Sequence, residues 1–224
     1  AEDAELPPLV AQLTGDLGTV AMVEGRLAHA QALFEQSVQL HLECQRPDSA
    51  NLSRANLAQL TQRQGRLEDA LALFSQCVNA ARDRGNRRQE MVCLGYIGEL
   101  ELSLHRYPEA ASAFKEAMKL NEGMGDRRRE SVYVGGLGQI QLMLNHHEQA
   151  LPLLEKSLQL AEGVDPNRIC HAHGLLALLA SRQHRSDDAD AHLSAAELSA
   201  ERAGPAAILQ LAMNRVEVAI SLQR

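Results

Sequence analysis

A ten-residue phrase recurs through this chain at a nearly fixed step. Residues 25–34 read GRLAHAQALF and residues 65–74 read GRLEDALALF. HRYPEAASAF (105–114), NHHEQALPLL (145–154) and, one step of 39 later, HRSDDADAHL (184–193) continue the series. The sixth letter is always Ala (Ala30, Ala70, Ala110, Ala150, Ala189), and the tenth is large and apolar (Phe34, Phe74, Phe114, Leu154, Leu193). All three Phe of the protein fall in that one slot. Each phrase is preceded by a large apolar residue and a small one: Leu17-Gly18, Leu57-Ala58, Ile97-Gly98, Leu137-Gly138 and Leu176-Ala177. Three positions before each of these small residues lies another, Gly15, Ala55, Gly95, Gly135 and Gly174, and the third letter after the phrase is small again, Ser37, Cys77, Ala117, Ser157 and Ala196. A period of this length means stacked supersecondary units, because one such unit cannot bury its apolar face alone.

The spacing inside a unit is helical. Apolar positions recur three or four apart, once before and once after the polar breaks EGR, QGR, LHR and LNH, so each unit is two helices and a tight turn. Pro108 sits in the first turn of a second helix, where its missing N–H costs nothing, while Pro152 lies a turn further in and is expected to disturb its helix slightly. RGNRR (84–88) and MGDRR (124–128) join units, with Gly ending one helix and Asn or Asp capping the next. The small residues let the helix axes of a pair approach, a Gly or Ala on the first helix facing an Ala on the second. The units expected are 8–47, 48–87, 88–127, 128–166 and 167–204. Residues 205–224 form one more amphipathic helix, either a cap or the first half of a sixth repeat. The second reading is favoured, because the apolar positions of this helix are not confined to one face.

Composition narrows the function classes. Hydrophobic residues make up 45% and aromatics 3%, which fits a globular helical core built from Leu, Ala, Val and Met. A net charge of −7 gives no basic field for nucleic acid. No run of eighteen apolar residues and no signal segment appears, so no membrane association is expected. Cys44, Cys77, Cys93 and Cys170 show no close spacing and read as four separate reduced thiols of a cytoplasmic protein. Nineteen Arg against three Lys, with abundant Ala, suggests the coding bias of a GC-rich bacterial genome. An initial Ala suggests an excised or processed chain.

The small-residue slots, the turn phrase and the Phe after it resemble the tetratricopeptide repeat, in a version about six residues longer than the usual 34. That version is similar to repeats of the cell-polarity Pins proteins, kinesin light chains and bacterial regulators. The resemblance covers residues 8–204. It departs where the usual aromatic near the start of the first helix is replaced by Thr14, Arg54, Leu94 and Val134, and in a degenerate fifth unit. It implies an all-α, right-handed superhelical solenoid of antiparallel helix pairs whose first helices line a concave groove. The slots carried over to that groove are Gln12, Asp16, Thr19 and Val23; Leu52, Asn56, Gln59 and Arg63; Val92, Tyr96, Glu99 and Ser103; Val132, Gly136, Gln139 and Met143; His171, Leu175, Leu178 and Arg182. Asn56, Gln59 and Gln139 can each donate to and accept from a peptide backbone, Tyr96 is an amphipathic anchor, and Gly136 is expected to open space. The terminal-carboxylate clamp of chaperone-binding relatives is excluded, since only Asn56 matches and the required lysines are missing.

Other constellations are weaker. Cys170, His171 and His173 cannot present ligands together, because neighbouring helical residues point about 100° apart, and the exposed turn His146-His147-Glu148 is not expected to hold metal. VGGLG (134–138) lacks the preceding strand of a phosphate loop and reads as packing. Arg82, Arg84, Arg87 and Arg88 at one joint, and Arg127, Arg128 and Arg129 at the next, oppose helix dipoles. They are expected either to pair locally, with Asp83, Glu90, Glu122 or Glu130, or to form an edge that docks an acidic partner. No catalytic set, cofactor or metal is expected. The sequence thus predicts a protein or peptide ligand held in the groove by a regulatory or scaffolding part of a bacterial protein. The alternative is self-association, or an intramolecular clamp on a further catalytic or DNA-binding domain. Oligomeric state is left open.

Overall fold

The computed structural model describes residues 2–222. Residue 1 and residues 223–224, the outermost parts of the 1–224 array and the 205–224 tail, lie outside the described residues. Eleven helices and no strand occur among those described: α1 (Glu2–Val23), α2 (Leu27–Glu43), α3 (Pro47–Arg63), α4 (Leu67–Asp83), α5 (Arg87–Ser103), α6 (Tyr107–Asn121), α7 (Arg127–Met143), α8 (His147–Ala161), α9 (Pro166–Arg182), α10 (Ser186–Ala203) and α11 (Pro205–Leu222). The all-α expectation is met, and odd-numbered helices are the first members of the pairs. The chain divides into two compact units, Ala1–Arg106 and Tyr107–Arg224.

Helix ends follow the local chemistry. Asn86 Oδ1 accepts from Gln89 N at 3.1 Å, Asp126 Oδ1 from Arg129 N at 3.0 Å, and Asp165 Oδ1 from Asn167 N at 3.0 Å, so the expected Asn and Asp caps open α5 and α7, and a third opens α9. Pro47 and Pro166 sit in the first turns of α3 and α9. α8 runs through Pro152 without interruption. The turn within each pair places one residue in the left-handed region. Gly25 (φ 77°) and Gly65 (φ 78°) do so without a Cβ penalty, whereas His105, Asn145 and His184 hold φ near 60° in the later pairs.

In the first compact unit α1 packs on α2, α2 on α3, α3 on α4 and α4 on α5. The repeated Ala30 and Ala70 and the repeated Phe34 and Phe74 are fully buried, each Phe contributing about 1.5–3 kcal/mol. The sequence expectation that the first-helix glycines face Ala is corrected: they face the large and small residues further along the second helix. A Cβ on Gly18 would lie 2.8 Å from the Phe34 ring, and one on Gly15 would lie 3.0 Å from Ser37 Oγ. The absent Cβ therefore seats the large tenth-slot residue and the small residue three places on. That small residue also ties the second helix of a pair to the first. Ser37 Oγ donates to Ala11 O at 2.8 Å, and Cys77 Sγ contacts Asn51 O at 3.7 Å, each reaching back 26 residues to the first helix.

The second unit repeats this scheme. Ser157 Oγ donates to Ser131 O at 2.8 Å, and Cβ atoms on Gly135 and Gly138 would each lie 2.7 Å from Ser157 Oγ and Leu154 Cδ2 respectively. Its core joins Leu142, Leu154, Leu176, Leu179 and Ala189 with Val218. α11 packs against both α9 and α10. Ala207 and Leu211 fill a second cluster with Cys170, Ala196 and Ala200. α11 therefore rests broadly on α9 as well as on α10, unlike the first helices α3, α7 and α9, which pack mainly on their own partner and on the second helix of the preceding pair. Its Met213 and Val216, 53% and 59% exposed, replace the small Gly174 and Ala177 that α9 carries 39 residues earlier.

Candidate interaction face

In the first compact unit the face carried over from the resemblance is open to solvent. Gln12, Asp16, Thr19 and Val23 of α1, Leu52 and Arg63 of α3 and Ser103 of α5 are exposed. Asn56, Gln59, Val92, Tyr96 and Glu99 are half-buried. This intermediate burial follows from helical geometry, because these slots lie between the residues facing the second helix and those facing the preceding pair. Tyr96 is fixed from below. Its ring stacks on Phe74, with centroids 4.9 Å apart and planes 16° off parallel. One repeated Phe thus turns a flexible side chain into a rigid platform.

The second unit treats the same slots differently. Val132, Gln139, Met143, His171 and Arg182 are half-buried. Gly136, expected to open space, is buried, and a Cβ there would run into the Phe114 ring. Phe114 thus fills, at the slot of Tyr96, the room that glycine leaves. Leu175 and Leu178, 5% and 3% exposed, belong to the core cluster that includes Val218 of α11, so they do not lie on an open face. Met143, Leu178 and Arg182 do come together at a cleft of about 660 Å³, whose other walls include His147, Glu217 and Ile220. Arg182 is positioned there by donating to Leu142 O at 2.8 Å and Asn145 Oδ1 at 3.4 Å. Sequence reasoning missed His147 and Glu217, which lie on α8 and α11, helices the groove pattern does not use.

The arginine edge is largely spent within the fold. Arg82 pairs with Glu90 at 2.8 Å, Arg84 with Asp48 at 2.8 Å and Arg128 with Asp165 at 2.8 Å, and Arg127 donates to Gln159 O at 3.2 Å. Glu90 is one of the local partners expected, but Asp48 opens α3, the other helix of Arg84's own pair, Asp165 caps α9 of the next pair, and Glu130 takes Lys156 instead. The hydrogen bond from Arg84 holds the Asp48 carboxyl below the usual carboxylate range. Arg87 and Arg88 are exposed, and Arg129 is half-buried.

The weaker constellations resolve into packing. Cys170 Sγ faces Ala207 O at 3.8 Å, whereas His173 Nδ1 lies 3.0 Å from His192 Nδ1 on α10, so the Cys-His-Ala-His run sends its side chains to different neighbours. Burial lowers the pKa of His173 and of His192, and the two rings oppose double protonation. Burial, with Arg168 nearby, lowers His171 to about 4. Among the described residues no group of three or more His, Cys, Asp or Glu is placed to hold a metal ion, and no helix is long and apolar enough to cross a membrane. The glycines of VGGLG meet Ser157, Phe114 and Leu154.

A family model described as tetratricopeptide repeat matches residues 9–83, 48–123 and 94–163. No curated protein matches the sequence. Among solved structures, BtubC (BKLC) from P. vanneervenii is similar at a TM-score of 0.74 and 16% identity, over 88% of this chain and 85% of that one. Aspartyl phosphate phosphatase F from Bacillus subtilis is similar at a TM-score of 0.78 and 12% identity, over 95% of this chain but only 56% of the phosphatase. The TPR-like repeats of a Podosopora anserina kinesin light chain give a TM-score of 0.67 and 14% identity, over 86% and 95%. At these identities the likeness is one of fold.

Proposed function

This chain belongs to the tetratricopeptide repeat family, and from that premise we propose that it is a non-catalytic protein-interaction module that receives a peptide or protein segment on its first-helix face. The observation that carries the reading is Tyr96, half-buried and stacked on Phe74, in the same slot of α5 that Asn56 fills in α3. A preorganised aromatic platform loses little rotamer freedom on binding, and the amides of Asn56 and Gln59 match both N–H and C=O of an incoming backbone. Leu52, 58% exposed, and Val92 add apolar contact beside them. The module serves as a regulatory or scaffolding part of a cytoplasmic bacterial protein. Affinity capture from the native lysate tests this, comparing the parent chain with a folded Asn56→Ala/Tyr96→Ala variant and with the same variant carrying Gln139→Ala. A partner kept by the parent and lost by the double variant supports the reading, and a further loss with Gln139→Ala extends it to the second unit. Retention of one partner set by all three chains refutes it.

A second reading, self-association, is favoured by α1. This helix buries Ala11, Ala21 and Met22, yet exposes Leu6, Leu9, Leu13, Leu17 and Val20, each about half or more. The stripe is symmetric about Leu13, with members four and seven residues to either side, so an antiparallel copy of α1 would meet it apolar side to apolar side. A helix apolar on both faces is normally covered. Light scattering across a concentration series, with Leu13→Glu as the control, tests it: a dimer abolished by the substitution supports the reading, and a monomer at all concentrations refutes it.

A further inference from the structure

The repeat carries the same small side chains to the same joint and changes their chemistry once. Between the first and second pairs, Ser37 of α2 and Ser53 of α3 are buried with Oγ atoms 2.9 Å apart. Ser37 donates its proton to Ala11 O, so Ser53 donates to Ser37. Forty residues on, at the joint between the second and third pairs, both positions are cysteine. Cys77 of α4 and Cys93 of α5 are 0% and 2% exposed, and the Cys77 thiol contacts Asn51 O at 3.7 Å as Ser37 contacts Ala11 O. Cys77 and Cys93 are also hydrogen-bonded to each other. All four cysteines are free, as read from the sequence, but the repeat brings Cys77 and Cys93 to the paired positions that Ser37 and Ser53 hold one joint earlier.

We propose that Cys77 and Cys93 are a redox modification site, closing to an intrachain disulfide between α4 and α5 when the protein meets an oxidant of the peroxide class. At the equivalent joint the Ser37 and Ser53 Oγ atoms lie 2.9 Å apart, and two sulfurs carried on the same positions of packed helices need only a small closure to reach the S–S bond length of about 2.0 Å. Sixteen residues separate them, 93 minus 77, so the loop is local and both helices belong to one compact unit. The chemistry divides naturally between the two. Hydrogen bonding to Cys93, together with the Arg54 and Arg84 charges, holds the Cys77 thiol below its ordinary value against the opposing effect of burial, which favours Cys77 as the sulfur that attacks first. Its sulfur attacks one peroxide oxygen, the O–O bond breaks, and the departing oxygen leaves as water once protonated, giving Cys77 sulfenic acid. Cys93 sulfur then attacks Cys77 sulfur; the S–S bond forms, the S–O bond breaks, and the hydroxide leaves as water with the Cys93 proton. Two thiols lose two electrons, and one peroxide becomes two waters. Because both sulfurs are buried, the first step passes through local opening of the turn between α4 and α5. Cys93, at the paired position on α5, then captures the sulfenic acid before further oxidation.

The other two cysteines are internal comparisons. Cys44 is half-buried, and burial raises the pKa of Cys170, whose sulfur faces a backbone carbonyl. Hydrogen peroxide on the intact chain, followed by thiol counting and peptide mapping under non-reducing conditions, tests the proposal. The expected result is loss of two of the four free thiols, one peptide cross-link joining Cys77 to Cys93, and full recovery with dithiothreitol. Cys77→Ser/Cys93→Ser recreates the Ser37–Ser53 arrangement, so it should fold as the parent does and lose the response. Cys93→Ser alone should stop at a sulfenic acid on Cys77 that a dimedone probe traps. Oxidation confined to Cys44, a cross-link that omits Cys77, or an unchanged response in the double variant would overturn it.

Discussion

Gly136 gives the sharpest test of how this chain spends its small residues. It lies inside α7, where replacing glycine by alanine ordinarily gains about 1 kcal/mol of helix stability. If the slot opened into a groove, Gly136→Ala would therefore stabilise the protein. The structure argues the opposite sign. An added Cβ would lie 3.0 Å from Phe114 Cδ2, with two further ring atoms closer still, against an ordinary carbon contact of about 3.5–4.0 Å. Phe114 is fully buried, and the Tyr133 ring lies beside it at a centroid distance of 6.3 Å, so the ring has little room to retreat. Overpacking of a closed core costs about 1–3 kcal/mol, and an overlap this large with an aromatic ring belongs in the upper half of that range. Subtracting the propensity gain leaves a net destabilisation of about 1–2 kcal/mol.

Urea denaturation followed by circular dichroism reads this directly, as a lower midpoint at unchanged slope. A thermal scan should show a fall of about 2–4 °C for each kcal/mol in a chain of this size. Phe114→Leu in the Gly136→Ala background should recover part of the loss, giving a coupling energy of about 0.5–3 kcal/mol for residues in contact. A raised midpoint for Gly136→Ala alone, or no coupling to Phe114, would refute the reasoning and restore Gly136 as an open position.

Gln45 holds φ 55° at the joint slot where the next two joints carry Gly85 and Gly125, so Gln45→Gly should raise stability by up to about 1 kcal/mol in the same urea assay. Asp165 both caps α9 and pairs with Arg128; Asp165→Ala should cost about 1–2 kcal/mol while Asp165→Asn, which keeps the cap, should cost less, and equal losses would remove the cap from the account. Ser157→Ala removes the buried tie to Ser131 O, which keeps its helical donor within α7, and should cost about 0.5–1.5 kcal/mol in the same urea assay. His171 titrates at about 4 when folded and near 6.5 when unfolded, so the unfolded chain takes up the proton first. Stability is then full above about pH 6.5 and falls as pH drops towards 4. His41, His173 and His192 shift in the same direction. Because His171 keeps partial exposure, water screens some of the effect; His171→Gln should flatten the slope of urea midpoint against pH, and an unchanged slope would reject its part.

What the sequence displays, it displays through constraints internal to one helix or one turn. Asn86 and Asp126 could be named as caps because a cap is read from residues three apart. The Gly15, Gly18, Gly135 and Gly138 slots could be named because close approach of paired helices admits only small residues there. The contacts that decide the candidate face are of another kind. Phe74 meets Tyr96 across a joint, Phe114 meets Gly136 at the same offset, and Cys77 meets Cys93 where Ser37 meets Ser53. No amino-acid rule links these partners, since each pair satisfies the same geometry with different chemistry. Leu175 and Leu178 carry the groove register too, yet they are buried in the core cluster that contains Val218.

That division has a consequence for function. The repeat fixes where a side chain stands and leaves open what stands there, so three slots of identical register yield an amide at Asn56, an aromatic platform at Tyr96 and a sealed seat at Gly136. The Phe of the preceding phrase decides between the last two: beneath Tyr96 it holds a ring out for contact, and against Gly136 it takes the space itself. The chemistry that each slot of the proposed face presents is therefore set by the first-helix residue and the preceding Phe read together. Replacing Gly136 by tyrosine would not transplant the Tyr96 platform, because Phe114 already occupies the volume that Phe74 leaves to Tyr96. Adding an anchor in the second unit needs a smaller residue at 114 first, with Phe114→Ala/Gly136→Tyr as the paired change that keeps the ring count of the joint constant.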